Sequence, residues 1–253
     1  MNYNGNKPDA RPDPKPRKHP QLWQSYLFWN ELVEMRKRHT LRISSIEKGK
    51  SNMDAQLERE FMELLRVDDL IKYANKTMIN YGKLIPCWEF VTSIRGLKEG
   101  SLAAQLLAQI DDIAKFDTIS KLWRFSGNAV IDGRAERNQP GEKSHFNRKL
   151  KSICWLVGDQ FIKQQTPLYV DLYYSEKERL RRIYPEKIVE NGKTKYNDGH
   201  LHNMARRKAV KIFLSHLWVI WRGLEELPIS EPYAAQILSH TNIIPPPLPV
   251  LES

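Results

Sequence analysis

Apolar residues first become periodic at Leu22. They recur at Tyr26, Trp29 and Val33, with Phe28, Leu32 and Met35 widening the stripe, which is the 3.6-residue repeat of an amphipathic helix. Residues 1–20 precede it with Pro, Lys, Arg, Asn and Asp and almost no large apolar side chain. Such a segment buries too little surface to offset its ordering entropy, so it is expected to be a flexible basic arm. Lys48-Gly49-Lys50-Ser51 breaks the first helix, and Ser51 followed by Asp54 resembles a capping signal for a second. Leu57, Phe61, Leu64, Val67, Ile71, Ala74, Met78 and Tyr81 then continue at steps of three and four over three heptads. Residues 21–84 are therefore predicted to form an antiparallel helical hairpin, a coiled coil roughly 40 Å long. A free two-helix arm leaves one face of each helix partly wet, so a homodimer through residues 21–84 is expected.

Pro86 ends the arm. From residue 85 to 227 the chain reads as helices joined by short polar turns, without the alternation that marks strands. Leu102, Leu106, Ile110 and Ile113 mark one helix; Ile119, Leu122, Trp123 and Phe125 mark a shorter one. Arg134 to Gly141 reads as a basic loop, and Phe146, Leu150, Ile153 and Val157 share a face of the next helix. Thr166-Pro167 starts a helix that becomes basic at Lys177, Arg179, Arg181 and Arg182. Asn191-Gly192 and Asp198-Gly199 mark a turn or short hairpin, with His200 and His202 in a polar loop leading into a helix from about His202 to Leu224. On that last helix His216 sits among apolar neighbours as a core histidine, and Trp218 and Trp221 read as packing. Residues 228–253 are Pro-rich and read as an extended tail. The fold class is all-α: a helical hairpin followed by a compact helical domain.

Charge narrows the function. There are 40 Lys and Arg against 30 Asp and Glu, a formal net charge of +10, and aromatics make up 10% of the chain. That excess favours polyanionic partners, and aromatics among cations suit stacking on unpaired bases. Two glycine-marked turns carry the densest signal. One is Arg95-Gly96-Leu97-Lys98-Glu99-Gly100 before the Leu102 helix. The other is Gly141-Glu142-Lys143-Ser144-His145, followed by Arg148 and Lys149. A glycine turn leading into a helix leaves backbone N–H groups for phosphate oxygens, and the helix dipole favours an anion there. RNA contacts are accordingly expected at Arg134, Arg137, Gly141, Glu142, Lys143, Ser144, His145, Arg148 and Lys149, with a second group at Arg206 and Arg207, in a basic cluster completed by Lys208 and Lys211. Contacts to DNA or backbone are expected at Arg95, Gly96, Lys98 and Gly100.

Other chemistry is thinly represented. Two cysteines, Cys87 and Cys154, make neither a disulfide scaffold nor a zinc site, and seven histidines supply no ligand spacing. The carboxylate pairs Asp68-Asp69, Asp111-Asp112 and Glu225-Glu226 are adjacent in sequence and point apart on a helix, unlike the convergent carboxylates of a two-metal nuclease. No catalytic residue, metal or cofactor is expected. No apolar run approaches the ~18 residues of a membrane span and no leader is evident, so a reducing, cytoplasmic setting is expected.

Several of these segments resemble known domains. Ala103-Ala104-Gln105-Leu106-Leu107-Ala108, Asp112-Ile113-Ala114-Lys115-Phe116 and Leu122-Trp123-Arg124-Phe125-Ser126-Gly127 resemble the C-terminal domain of bridge-RNA-guided insertion-sequence transposases. Residues 141–149 and Thr166-Pro167-Leu168-Tyr169 resemble the Nop domain of box C/D ribonucleoproteins. The Tas proteins of tandem interspaced guide RNA (TIGR-Tas) systems, found in prokaryotes and their viruses, combine both traits, and the chain resembles them over roughly residues 21–225. That resemblance implies a Nop-like RNA-binding domain, a short guide RNA, target DNA recognised by pairing, and a nuclease that some members carry and others leave to a separate effector. Two departures matter. The transposases' RNase-H-like domain is expected to have no room in 253 residues that start with a helical arm. Asp132-Gly133 stands where their recombinase has a Ser-Gly step, and a carboxylate cannot form the phosphoserine-type link to DNA. His145 also follows Ser144 where the box C/D proteins have small or apolar residues. The same residues leave open a truncated or domesticated transposase fragment that binds DNA directly, a box C/D-like scaffold, or a scaffold acting only through its arm.

Overall fold

The computed structural model describes residues 16–131, 134–135, 141, 144–185, 188–190, 193–229 and 244–247, with the backbone alone at Leu64, Ile131, Arg134 and the strand residues 188–190 and 193–195. The chain is mostly helical. Its helices are α1 (Pro20–Glu47), α2 (Ala55–Leu64), α3 (Val67–Gly82), α4 (Trp88–Ser93), α5 (Ser101–Ile110), α6 (Ile119–Phe125), α7 (Arg148–Lys163), α8 (Tyr169–Ile183) and α9 (Asp198–Leu224), with a 3-10 turn at Ile113–Lys115. Two small antiparallel ladders accompany them. β1 (Val130–Ile131) pairs with β2 (Arg134–Ala135), and β3 (Ile188–Glu190) pairs with β4 (Lys193–Lys195). The second is the hairpin expected before α9; the first lies where a basic loop was expected to begin.

α1 runs antiparallel to α3, and both pack on α5. The base of this arm is part of the main core: Leu22, Tyr26 and Met78 share one buried cluster with Trp88, Leu106 and Leu107. The tip departs from the expected seam. Arg66 takes a left-handed φ of 46° and ends α2, so the helix expected to run unbroken past Leu57 to Tyr81 is two helices. The break turns α2 so that Glu58, not an apolar residue, faces α1. Its carboxylate accepts from Arg42 Nη1 at 2.7 Å and lies 2.6 Å from His39 Nδ1, and these hydrogen bonds hold it below the usual carboxylate range. Leu57, Phe61 and Leu65 consequently point to solvent, whereas Val67, Ala74 and Met78 are buried. The capping signal also shifts by one role: Asp54 is itself the N-cap of α2, accepting from the amides of Gln56 and Leu57. The basic arm is anchored at its end. Arg17 lies over the Trp23 ring at 3.5 Å, Lys18 binds Glu225 at 2.5 Å, and the His19 amide donates to Asp111 at 3.2 Å; residues 1–15 lie outside the described residues.

α9 is the centre of the body, with α6, α7 and α8 packed on it and α5 on α7. Phe213, Leu214, Leu217, Trp218 and Trp221 are fully buried along it, each contributing about 1.5–3 kcal/mol relative to exposure. The indole N–H of Trp218 donates to the Phe116 carbonyl at 2.7 Å. His216 is a core histidine. Its Nε2–H donates to the Ile244 carbonyl at 2.9 Å, which leaves Nδ1 to accept from Tyr169 Oη at 2.9 Å. Burial pulls its pKa below the ordinary value, which keeps it neutral. The Pro-rich tail thus meets α9 at Ile244. α9 also starts earlier than expected, capped by Asn197, so His200 and His202 are helical. Burial pushes the Cys154 thiol up to about 12 and raises Cys87 as well, so both act as small apolar groups.

One ring of that shared core is closely held at the junction of arm and body. Trp88, 5% exposed, sits between the end of α3 and the start of α5. A Cβ on Gly82 would lie 2.5 Å from its Cζ3, and one on Gly100 would lie 3.1 Å from its Cζ2 and Cη2. Gly82→Ala is expected to lower the unfolding free energy by about 1–3 kcal/mol in urea titration, since a buried indole has little room to move aside. Gly199→Ala, whose Cβ would meet its nearest atom at an ordinary 3.5 Å, is expected to be neutral or stabilising. Equal stability of the two variants would overturn the wedge.

Candidate nucleic-acid interface

The first glycine turn is a packing joint. Gly96 and Gly100 take φ of 95° and 78°, which suits glycine, but both approach other elements rather than solvent. A Cβ on Gly96 would stand 3.1 Å from Gln160 Cβ on α7, and Gly100 is buried under Trp88. Ser101 Oγ donates to Asn75 Oδ1 on α3 at 2.6 Å, closing over the start of α5. The phosphate cradle expected here does not form. Arg95 and Lys98 stay exposed on its rim, with the Arg95 carbonyl accepting from Thr166 Oγ1 at 2.6 Å.

The second turn is open but does not lead directly into a helix. Gly141 has φ 81° with no atom near its Cα hydrogen positions, yet α7 begins only at Arg148. Asn147 is the cap: Oδ1 accepts from the Leu150 amide at 3.0 Å and Nδ2 donates to Gln109 at 2.8 Å. Ser144 Oγ donates to the Phe146 carbonyl at 3.0 Å, and His145 is exposed. Arg148 and Lys149 are exposed in the first turn of α7, which holds no acidic residue. Two cations at that end oppose the helix dipole, so an incoming anion would relieve them. Arg134 contributes its backbone to β2; Arg137, Glu142 and Lys143 lie outside the described residues, as does Asp132-Gly133.

The third group divides. Arg206, expected at the surface, is 6% exposed and lies 4.3 Å from the Trp155 ring. Arg207, one residue on and therefore about 100° around the helix, faces away from the α7 seam. There it lines a concavity with Trp123, Arg179, Lys208, Lys211 and Val130, and Glu176 is the one carboxylate among the residues lining it. Glu176 is 7% exposed and accepts from Arg179 at 2.8 and 2.6 Å and from Lys208 at 2.6 Å. Burial raises its pKa, but these hydrogen bonds outweigh that and hold it below the ordinary carboxylate value. Lys211 stands differently. Its ammonium lies 4.0 Å over the Trp123 ring, whose N–H donates to the Lys211 carbonyl at 3.1 Å. Burial, and then the charge of Arg207, pull its pKa below the ordinary lysine value. A desolvated cation beside another cation is an arrangement that a phosphate would stabilise.

Arg179 and Trp123 are thus functional candidates that the sequence left outside the site, while Lys208 and Lys211 belong to the basic cluster it marked at the start of the last helix. The i, i+4 spacing of Arg207 and Lys211 was the available signal; the presence of Trp123 and Arg179 beside them is tertiary. The acidic pairs go to structural ties instead. Asp68 binds Arg36, Asp69 binds Lys72, Asp111 binds Lys115, and Glu225 accepts from Trp221. Among the described residues no three His, Cys, Asp or Glu groups converge as metal ligands, and no helix is long and apolar enough to cross a membrane.

Arg207→Gln with Lys211→Gln is expected to weaken binding of single-stranded RNA, and to reduce the slope of log affinity against log salt by about 1.4, at about 0.7 per phosphate contact. Lys37→Ala with Lys48→Ala, on the arm, should change either quantity far less. Equal losses in both pairs would make diffuse charge responsible. No protein-family model, curated protein or solved structure matches the chain.

Proposed function

We propose that the protein binds single-stranded RNA through the concavity between α6, α8 and α9 and the outer face of α7. In this reading it holds a short guide RNA whose pairing selects target DNA, as the resemblance to the Tas proteins implies. The observation that carries the proposal is Lys211, a desolvated cation held over Trp123 beside Arg207 with Arg179 and Lys208 on the same wall. The net charge of +10 acts with it by drawing a polyanion in. The protein contacts phosphates and shape while base pairing supplies sequence, the division of labour seen in guided systems. It cleaves nothing itself and leaves cutting to a separate effector.

The test is the nucleic acid that accompanies the protein from a low-salt lysate. Short RNA of defined length is the expected result. Co-purifying DNA would replace the reading with direct DNA binding by a transposase-like fragment, and no nucleic-acid absorbance would leave a scaffold acting through its arm.

The arm is proposed to receive a second copy of the chain. Leu57, Phe61 and Leu65 form an exposed row at four-residue spacing on α2 and its end, with Met53 before them. Four large apolar side chains on one face mark an association surface. Light scattering is expected to give a dimer for the wild type and a monomer for Leu57→Lys with Phe61→Lys. A monomeric wild type with and without RNA would end the proposal.

A further inference from the structure

Trp155, midway along α7, is the one exposed tryptophan of the chain's seven, with 49% of its surface open. Its setting is built rather than accidental. Gly158, one turn on, is where the Arg206 side chain crosses from α9; a Cβ there would lie 2.6 Å from Arg206 Cγ. Crossing at that point puts the guanidinium carbon 4.3 Å from the Trp155 ring centroid. The guanidinium is then fixed by Asn203 Oδ1 at 2.5 Å and by His202 Nε2 at 3.5 Å, and His202 Nδ1 lies 2.7 Å from Tyr173 Oη. The indole is therefore backed by a cation that is itself buried and held, and half of its surface remains open to solvent.

The rim of this ring is charged. Lys151, Ser152 and Leu156 line a shallow concavity with it, and Arg148 stands one turn before Ser152. Lys151 is held with its ammonium 4.2 Å from the Phe146 ring. On that face the neighbouring carboxylate, Asp159, already binds Lys163 at 2.8 Å. An apolar peptide laid on Trp155 would strip water from Lys151 and Arg148 and supply no anion in return, which is costly. A nucleotide matches both halves: a flat base for the indole and a phosphate for the cations.

We propose that the open face of Trp155 is a stacking site for an unpaired nucleobase, with the adjoining phosphates on Lys151 and Arg148. The assignment rests on the single-strand-binding reading above and adds to it the residue that grips a base. Arg206 is then a positioning residue that braces the indole from behind, not a phosphate contact.

The full chain is titrated with a fluorescein-labelled short oligouridylate and, separately, with an abasic sugar-phosphate oligomer of equal length. Trp155→Ala is expected to weaken the oligouridylate by about 5- to 100-fold, the measure of one base stacked on an aromatic ring, and to leave the abasic oligomer unchanged. Trp155→Phe should recover most of the loss, and oligouridylate should quench tryptophan emission in the wild type more than in Trp155→Ala. Two results would overturn the site: wild-type affinity for oligouridylate in Trp155→Ala, or an equal loss for both oligomers. If Trp155→Ala binds normally while Arg207→Gln with Lys211→Gln does not, stacking fails and single-strand binding survives. If the wild type binds neither oligomer, both fail together.

Discussion

The burial of α9 sets the positions of the cations around it. Its second half must hide Phe213, Leu214, Leu217, Trp218 and Trp221 at once, and no single neighbour covers so wide a face. α6, α7 and α8 are drawn around it, with the Phe116 carbonyl accepting from Trp218 and from Arg222 to fix its depth. The first half of the same helix then has no freedom to choose where its cations go. Arg206 is sent into the seam with α7, while Arg207 and Lys211 are sent into the gap beside α6. One rigid helix thus delivers a brace for Trp155 on one side and a cation-lined concavity on the other.

Charge is distributed by the same logic. The acidic residues are largely consumed in holding elements together. Asp198 takes Lys177 and Arg181, Asp111 takes Lys115 and Arg17, and Glu176 takes Arg179 and Lys208. Asp198 is held at a pKa of about 2 by its hydrogen bonds to Arg181 and Lys177, which keeps the base of α8 tied to α9 across the ordinary pH range. What remains for solvent is a positive excess, concentrated where carboxylates are already engaged. Pairing removes one cation with each carboxylate, so the net charge of +10 is left to the surface.

Much of the helical order was legible in the sequence because it is local. The stripe from Leu22, the break at Lys48-Gly49, the core position of His216 and the packing role of Trp218 and Trp221 all follow from periodicity and glycine chemistry. The misreadings share a tertiary origin. Gly96 and Gly100 look like a phosphate turn until Trp88 and α7 are placed against them. Arg206 looks like one more surface cation until Gly158 provides a path beneath it. The arm's apolar stripe reads as a continuous seam because nothing local marks Arg66 as left-handed; once it is, Glu58 faces inward and the apolar row faces out. Trp155 falls on the solvent side of α7 at a position that spacing alone assigns to polar residues.

The Lys18–Glu225 and Arg17–Asp111 ties have a consequence for the molecule's outline. They bring the chain just before α1 against the chain just after α9, so the described fold opens and closes at one corner. A fluorophore placed at residue 16 would therefore stand next to the end of α9. Those two junctions behave as one attachment point, and α2, at the far tip of the arm, is the part of the fold that such an attachment reaches least.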